Sequence, residues 1–338
     1  MKKTTRFLMV ILALMYVFTA VGLANAEVLQ IKPKGDKKIK IGVMDLISSI
    51  EVAALFNQRY QKWSKARGWD CQIFDLNFNF AQAGPVMENM ISAGYDGIIV
   101  NWTAPKLYEK QIKKAFDKGI PVIIVAGFDM VPGLVADFVA WNSAMGGMTA
   151  EFLSGKLKRG DKILAYYYST ITASVTRFRV AKAIFDAYGI EIAQQLSPTP
   201  GKDPAQDAYD SITNALLSDT KKEIKGIWAL SDSHGVPAAR AAGDAGRKDV
   251  VVVTADDSPR AYTALRTLPN LQGLVGYNGT AHVFIDDMFE IFEKVFAGEP
   301  VNTHQYRGLD CYLVTKENIP PEGYFYSPCG YKGRPKDY

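Results

Sequence analysis

The sequence predicts an α/β protein of two Rossmann-like lobes, each a parallel sheet covered by helices on both faces, joined by a hinge of short crossings. Three observations carry this prediction. Apolar runs of strand length alternate with amphipathic segments from residue 39 almost to residue 300. Most of these runs are hydrophobic at successive positions, as strands covered on both faces must be. Their number also suits two sheets better than one, and a chain of 338 residues with 48% hydrophobic and 22% charged side chains is long enough for two cores.

The chain opens with a segment of a different kind. Lys2, Lys3 and Arg6 precede an apolar run over 7–17, and Ala24-Asn25-Ala26 has the small-x-small pattern of a signal-peptidase site, so residues 1–26 read as an export signal cleaved near Ala26. A membrane anchor would need roughly 20 uninterrupted apolar residues, more than this run supplies. Cleavage removes three cations and no carboxylate, which lowers the formal charge from +4 to +1. A nearly neutral chain lacks the basic field that would draw it to nucleic acid or acidic membranes. In an oxidising compartment Cys311 and Cys329, 18 residues apart, are expected to form a disulfide worth roughly 3 kcal/mol. Free thiols are the alternative, and Cys71 reads as a small buried side chain in a strand.

The strand-like runs fall at 39–44, 71–76, 97–100, 121–126, 138–141, 162–168, 224–230, 250–255 and 271–277. Helical spacing appears between them. Phe56, Tyr60 and Trp63 share a face, with Arg59, Lys62 and Lys65 largely elsewhere, and Gly68 follows as a stop. Tyr108, Ile112, Ala115 and Phe116 repeat the pattern, and further amphipathic segments span 145–158, 175–188, 204–217, 236–246 and 281–296. Near residue 142 the fifth strand gives way to a new helix without a Gly/Pro/Ser linker, and short strand-like crossings are what a hinge between domains requires.

In open α/β sheets the loops after the carboxyl ends of strands carry the ligand. Here those loops collect groups suited to hydroxyls: Asp45 and Ser49 in the first loop, then Asn101, Asp129, Asn142, Arg177, Ser231, Asp232, Asp256 and Asn278. Beside them stand Phe80, Trp102, Phe128, Trp141, Tyr168 and Tyr277. Strand ends are polar in any such fold, so one residue says little; both types recurring at most loops points to a site that stacks aromatic rings on C–H surfaces and bonds a sugar's rim. Catalytic readings fare worse. Ser231, Asp232 and His234 crowd one turn and cannot take a triad's relayed geometry, and Asp256-Asp257 before Ser258-Pro259 reads as turn and helix-cap chemistry. No phosphate-binding loop or metal-ligand spacing occurs.

In order along the chain, Ile39-Lys-Ile-Gly-Val43, Gly94-Tyr-Asp-Gly-Ile-Ile-Val100, Gly119-Ile-Pro-Val-Ile123, Asn142 with Gly146, Arg177 before a helix, Ala229-Leu-Ser-Asp232 and Val251-Val-Val-Thr-Ala-Asp256 resemble the type I periplasmic sugar-binding proteins of the ribose-binding class, over roughly 38–315. The resemblance implies two lobes joined by three crossings, near 140–142, 276–278 and 308–311, so that the expected lobes are 27–141 with about 278–309, and 142–277 with about 310–338. It also implies ligand contacts at 45–51, Arg177 (with Arg179 as second choice) and Asp256. The sequence departs from the family at Gly127-Phe128-Asp129, at Ser231-Asp232, and at Trp141 and Tyr277, which add aromatic surface. A sugar or polyol is the expected ligand, with a cationic molecule held by aromatic faces as the alternative. The implied role is that of a monomeric periplasmic binder without cofactor or covalent chemistry that serves an ABC permease in the inner membrane. The alternative within the same fold is a sensory binder presented to a membrane kinase or chemoreceptor.

Overall fold

The computed structural model describes residues 27–326 apart from Phe128, Thr170, Pro200 and 278–280, and of 281–283 it gives only the helix. The leader 1–26, Phe128, Asn278 and Cys329 therefore lie outside the described residues, and so does the expected pairing of Cys311. A short antiparallel ribbon joins β1 (Val28–Leu29) to β12 (Val301–Asn302). The first sheet holds β2 (Lys40–Asp45), β3 (Asp70–Asp75), β4 (Gly97–Asn101), β5 (Val122–Val125), β6 (Ala136–Ala140) and β13 (Gln305–Leu309). Its order is β13-β6-β5-β4-β2-β3, with every pair parallel.

The second sheet repeats the plan with β7 (Lys162–Tyr166), β8 (Glu191–Leu196), β9 (Ile224–Ala229), β10 (Val251–Ala255), β11 (Leu271–Gly276) and β14 (Tyr312–Thr315). Its order is β14-β11-β10-β9-β7-β8, and β14 runs antiparallel to β11. The helices are α1 (Glu51–Ala66), α2 (Ala83–Ser92), α3 (Glu109–Asp117), α4 (Asn142–Ser154), α5 (Thr172–Tyr188), α6 (Pro204–Ser218), α7 (Asp232–Asp244), α8 (Pro259–Thr267) and α9 (Ala281–Phe296). The chain passes from sheet to sheet after Ala140, after Gly276 and after Leu309.

Packing explains the continuous apolar runs. Along the first sheet Ile41, Val43, Ile99, Ile123 and Phe138 face Phe56 and Tyr60 of α1 and Phe289 and Phe292 of α9, while Met44, Ile98, Val100 and Ile124 face Met87 and Met90 of α2 and Ile112 of α3. Successive side chains thus serve opposite cores. In the second lobe Leu164, Ile227, Val252 and Leu274 pack on α6 and α7, and Ile163, Ala165, Trp228 and Val253 pack on α4 and α5. Arg59, which the spacing of α1 places away from the apolar face, is buried, with its guanidinium over the rings of Phe56 and Phe325 at 5.8 and 5.4 Å.

Candidate ligand-binding site

The carboxyl ends of the two sheets face one another, so the loops that follow them form the walls of a cleft. Cross-lobe contacts establish this. Glu51, opening α1, reaches Arg260 at the start of α8 at 3.6 Å, Phe56 lies 6.4 Å from Tyr277, and Phe78 after β3 meets Tyr168 after β7.

The second-lobe wall is centred on Arg177. Its Nε donates to Asn142 Oδ1 at 2.7 Å, and its Nη1 donates to the Leu230 carbonyl at 2.8 Å and to both Asp256 oxygens at 3.3 Å. One guanidinium thereby ties together the start of α4, the end of β9 and the end of β10. Burial alone would lower its pKa, but the Asp256 carboxylate, together with Tyr277 and Cys311, more than offsets that and holds it above its ordinary value. Gly146 makes the geometry possible: a Cβ there would stand 2.2 Å from the Arg177 carbonyl oxygen, so only glycine lets α4 and α5 approach closely enough. Arg179 is exposed, which leaves Arg177 as the arginine of this cluster. Asp232, at the N-terminus of α7, is buried and accepts from Ser258 Oγ. Burial, and then the neighbouring Asp256, push its carboxyl up to about 7.

The first-lobe wall is built differently. Asp45 and Asn101 are neighbours in the ladder between β2 and β4, at the carboxyl ends of adjacent strands, and both are fully buried. Asp45 Oδ2 accepts from Ser48 Oγ at 2.9 Å and from Asn57 Nδ2, and Asn101 Oδ1 accepts from Tyr60 at 3.0 Å. Asp45 Oδ1, Asn57 Oδ1 and Asn101 Nδ2 are buried and have no partner within the protein. Burial raises the Asp45 carboxyl above its ordinary range, partly opposed by the bonds from Asn57 and Ser48.

The remaining expected residues divide. Trp102 sits with its ring edge-on to Phe56 at 5.6 Å. Tyr277 is buried at the second crossing, its amide donating to Asp257 Oδ1 at 3.0 Å. Ser231 bonds His234 Nδ1 at 2.7 Å beside the Arg177 cluster. Phe80 stands at the outer end of the cleft, 37% exposed. Three residues stand apart: Ser49 is exposed in its turn, Asp129 pairs with Lys106 at 3.2 Å, and Trp141 lies over Gly308, 5.7 Å from Tyr306 of edge strand β13. Trp141 thus marks the hinge, whereas Asn142 beside it belongs to the cluster. Cys311, at the third crossing, has its thiol pushed up to about 11 by burial.

Sequence reasoning missed Asn57 and Tyr60, which orient Asp45 and Asn101 from α1. Their one signal is a polar residue inside the apolar face of that helix. It also missed Asp257, read as part of a turn, which is fully buried and accepts from Tyr262 at 2.9 Å and Tyr312 at 2.6 Å. Among the described residues no group of His, Cys, Asp and Glu is placed to hold a metal.

Two matching α/β lobes, three crossings and polar groups converging from both sheets define a two-lobed solute-binding protein. The chain belongs to the periplasmic binding protein family, whose domain matches residues 41–281. It is similar to the ribose import binding protein of Salmonella typhimurium, 23% identical over 264 residues covering 76% of this chain and 84% of that one. It is equally similar to the xylitol-binding protein of Mycolicibacterium smegmatis, 23% identical over 292 residues covering 84% and 78% of the two chains. The solved structure of the 5-methylthioribose transporter solute binding protein from Thermotoga lettingae has the same fold, with a TM-score of 0.76 at 18% identity over 85% of this chain and 89% of that one. The family binds solutes, and the chain is a binding protein and not an enzyme.

Proposed function

We propose that this chain is the periplasmic solute-binding component of an ABC importer, exported by its leader, and that it closes its lobes about a sugar or polyol and presents the closed form to an inner-membrane permease. The observation that carries this reading is the asymmetry of the cleft. One wall offers a guanidinium already fixed by three partners, and the other offers buried acceptors and a donor, on Asp45, Asn57 and Asn101, that lack partners within the protein. A ring hydroxyl both donates and accepts, so a polyhydroxylated solute satisfies both kinds of atom at once. Trp102 and Tyr277 supply aromatic surface for its C–H faces. Relatives named for ribose and xylitol support the same ligand class. Ligand contacts from both lobes stabilise the closed state, and that differential affinity drives the closure.

A thermal-shift screen with D-ribose, xylitol, 5-methylthioribose, further pentoses and hexoses, and choline tests the proposal. A sugar or polyol present at 100 times its dissociation constant is expected to add about 2.7 kcal/mol of apparent stability. A shift with choline alone would overturn the sugar reading in favour of a cationic ligand.

A further inference from the structure

The two ends of the cleft are built from different chemistry. Strand order places the crossings at the side of β13, β6, β11 and β14, and places β3 and β8 at the far side, which is the mouth. There the loop after β3 turns through Asn77 and Phe78, both in left-handed backbone with φ of 46° and 63°. That conformation is strained for a residue with a side chain, and it persists only where its surroundings hold it. Here they do: Asn77 N donates to Asp75 Oδ1, Phe78 N to the Leu46 carbonyl and Asn79 N to the Leu76 carbonyl, each at 2.8 Å. The result is a Phe78 ring held outward and 38% exposed, with Phe80 at 5.7 Å. An exposed phenylalanine on a strained turn calls for a partner.

The other lobe supplies one. Tyr168, just beyond β7, is backed edge-on by His234 at 5.4 Å, and His234 is itself fixed by Ser231 and lies 5.2 Å from the Tyr166 ring. Phe78 and Tyr168 meet across the mouth with centroids 6.2 Å apart and planes inclined by 32°, within the range of favourable ring pairs. Rings this close leave no slot between them for a third.

We propose that Phe78 and Tyr168 form an aromatic latch that closes the mouth and confines the ligand to a solute small enough to lie wholly behind it, a monosaccharide or polyol without a bulky substituent. The size limit rests on the sugar-binding reading above; the contact between the lobes does not.

Small-angle scattering of the ligand-free chain tests the latch directly. Phe78→Ala and Tyr168→Ala are each expected to enlarge the radius of gyration, and the double variant to add nothing further, because either change removes the same contact. Tyr168→Phe keeps the ring and is expected to behave as the natural chain. Calorimetry and stopped-flow fluorescence with D-ribose, D-glucose and their phenyl β-glycosides test the size limit. Release of the free sugar is expected to quicken about two- to tenfold in either alanine variant. The phenyl glycoside, refused by the natural chain, is expected to bind Phe78→Ala. Unchanged ligand-free scattering, or a natural chain that takes the phenyl glycoside as tightly as the free sugar, overturns the proposal. Should none of these sugars bind the natural chain, the sugar reading fails while the scattering series still decides the latch.

Discussion

The two walls of the cleft differ in how completely they satisfy themselves. In the second lobe Arg177 spends its bonds on Asn142, the Leu230 carbonyl and Asp256, so the groups that would meet a ligand also hold α4, β9 and β10 together. In the first lobe Asp45 and Asn101 are oriented by one or two neighbours each, and atoms are left over. A wall that satisfies itself fixes geometry, and its disruption is felt first as lost stability. A wall that does not keeps bonding capacity in reserve, and its disruption is felt first as lost affinity.

Arg177→Ala should show the largest effect. It strands Asp256 in a buried site, and breaking a buried pair from one side typically costs 3–5 kcal/mol, so a drop of about that size is expected in denaturant unfolding, together with loss of sugar binding by about 100-fold or more. Arg177→Lys keeps the charge without the planar fork and should recover part of the stability but little of the affinity. Asp45→Asn should separate the walls. A lost charge-assisted bond to the ligand is worth about 1.5–3 kcal/mol, or roughly ten- to a hundredfold in calorimetric affinity. Stability should hold or rise, because burial already pushes the Asp45 carboxyl above its usual range and the amide carries no charge to bury. If Asp45→Asn destabilises as Arg177→Ala does and leaves affinity alone, the walls are alike and the comparison fails.

Much of this architecture was legible in the sequence because parallel strands covered on both faces must be apolar along their buried length, as in Val122–Val125 and in Ile98, Ile99 and Val100. Where that rule lapses, so does the signal. Strand β8 escaped notice because it is an edge strand with Glu191, Gln194 and Gln195 exposed. Helix α2 was hidden by Gly84 and Pro85 in its first turn, whereas the start of α8 was signalled by the Ser258-Pro259 pair that caps it. Strands β13 and β14 appeared only as an implied crossing, since each is short and half-exposed. In the site, residues at strand ends such as Asp45, Asn101 and Asp256 could be found by position alone. Asn57, Tyr60 and Phe78 could not, because their roles depend on which neighbour the fold sets opposite them. Trp141 shows the converse: its position beside Asn142 suggested the cleft, yet its ring turns onto Gly308 at the hinge.

Asp232 is the member of the self-satisfied wall that carries a cost, and it gives the most specific test. Its folded pKa of about 7, raised by burial and then by Asp256, lies above the ordinary 3.8. Between those values the folded protein holds a proton that the unfolded chain has released, so the contribution of Asp232 to stability falls as pH rises from about 4 to 7 and is level above that. Asp232→Asn removes the ionisation, and its amide oxygen can still accept from Ser258 Oγ. Its melting temperature relative to the natural chain should therefore climb between pH 4 and pH 8, with the largest gain at the alkaline end, as read by calorimetry across buffers. A difference that stays constant with pH would assign the slope to other groups and leave Asp232 an ordinary cap of α7.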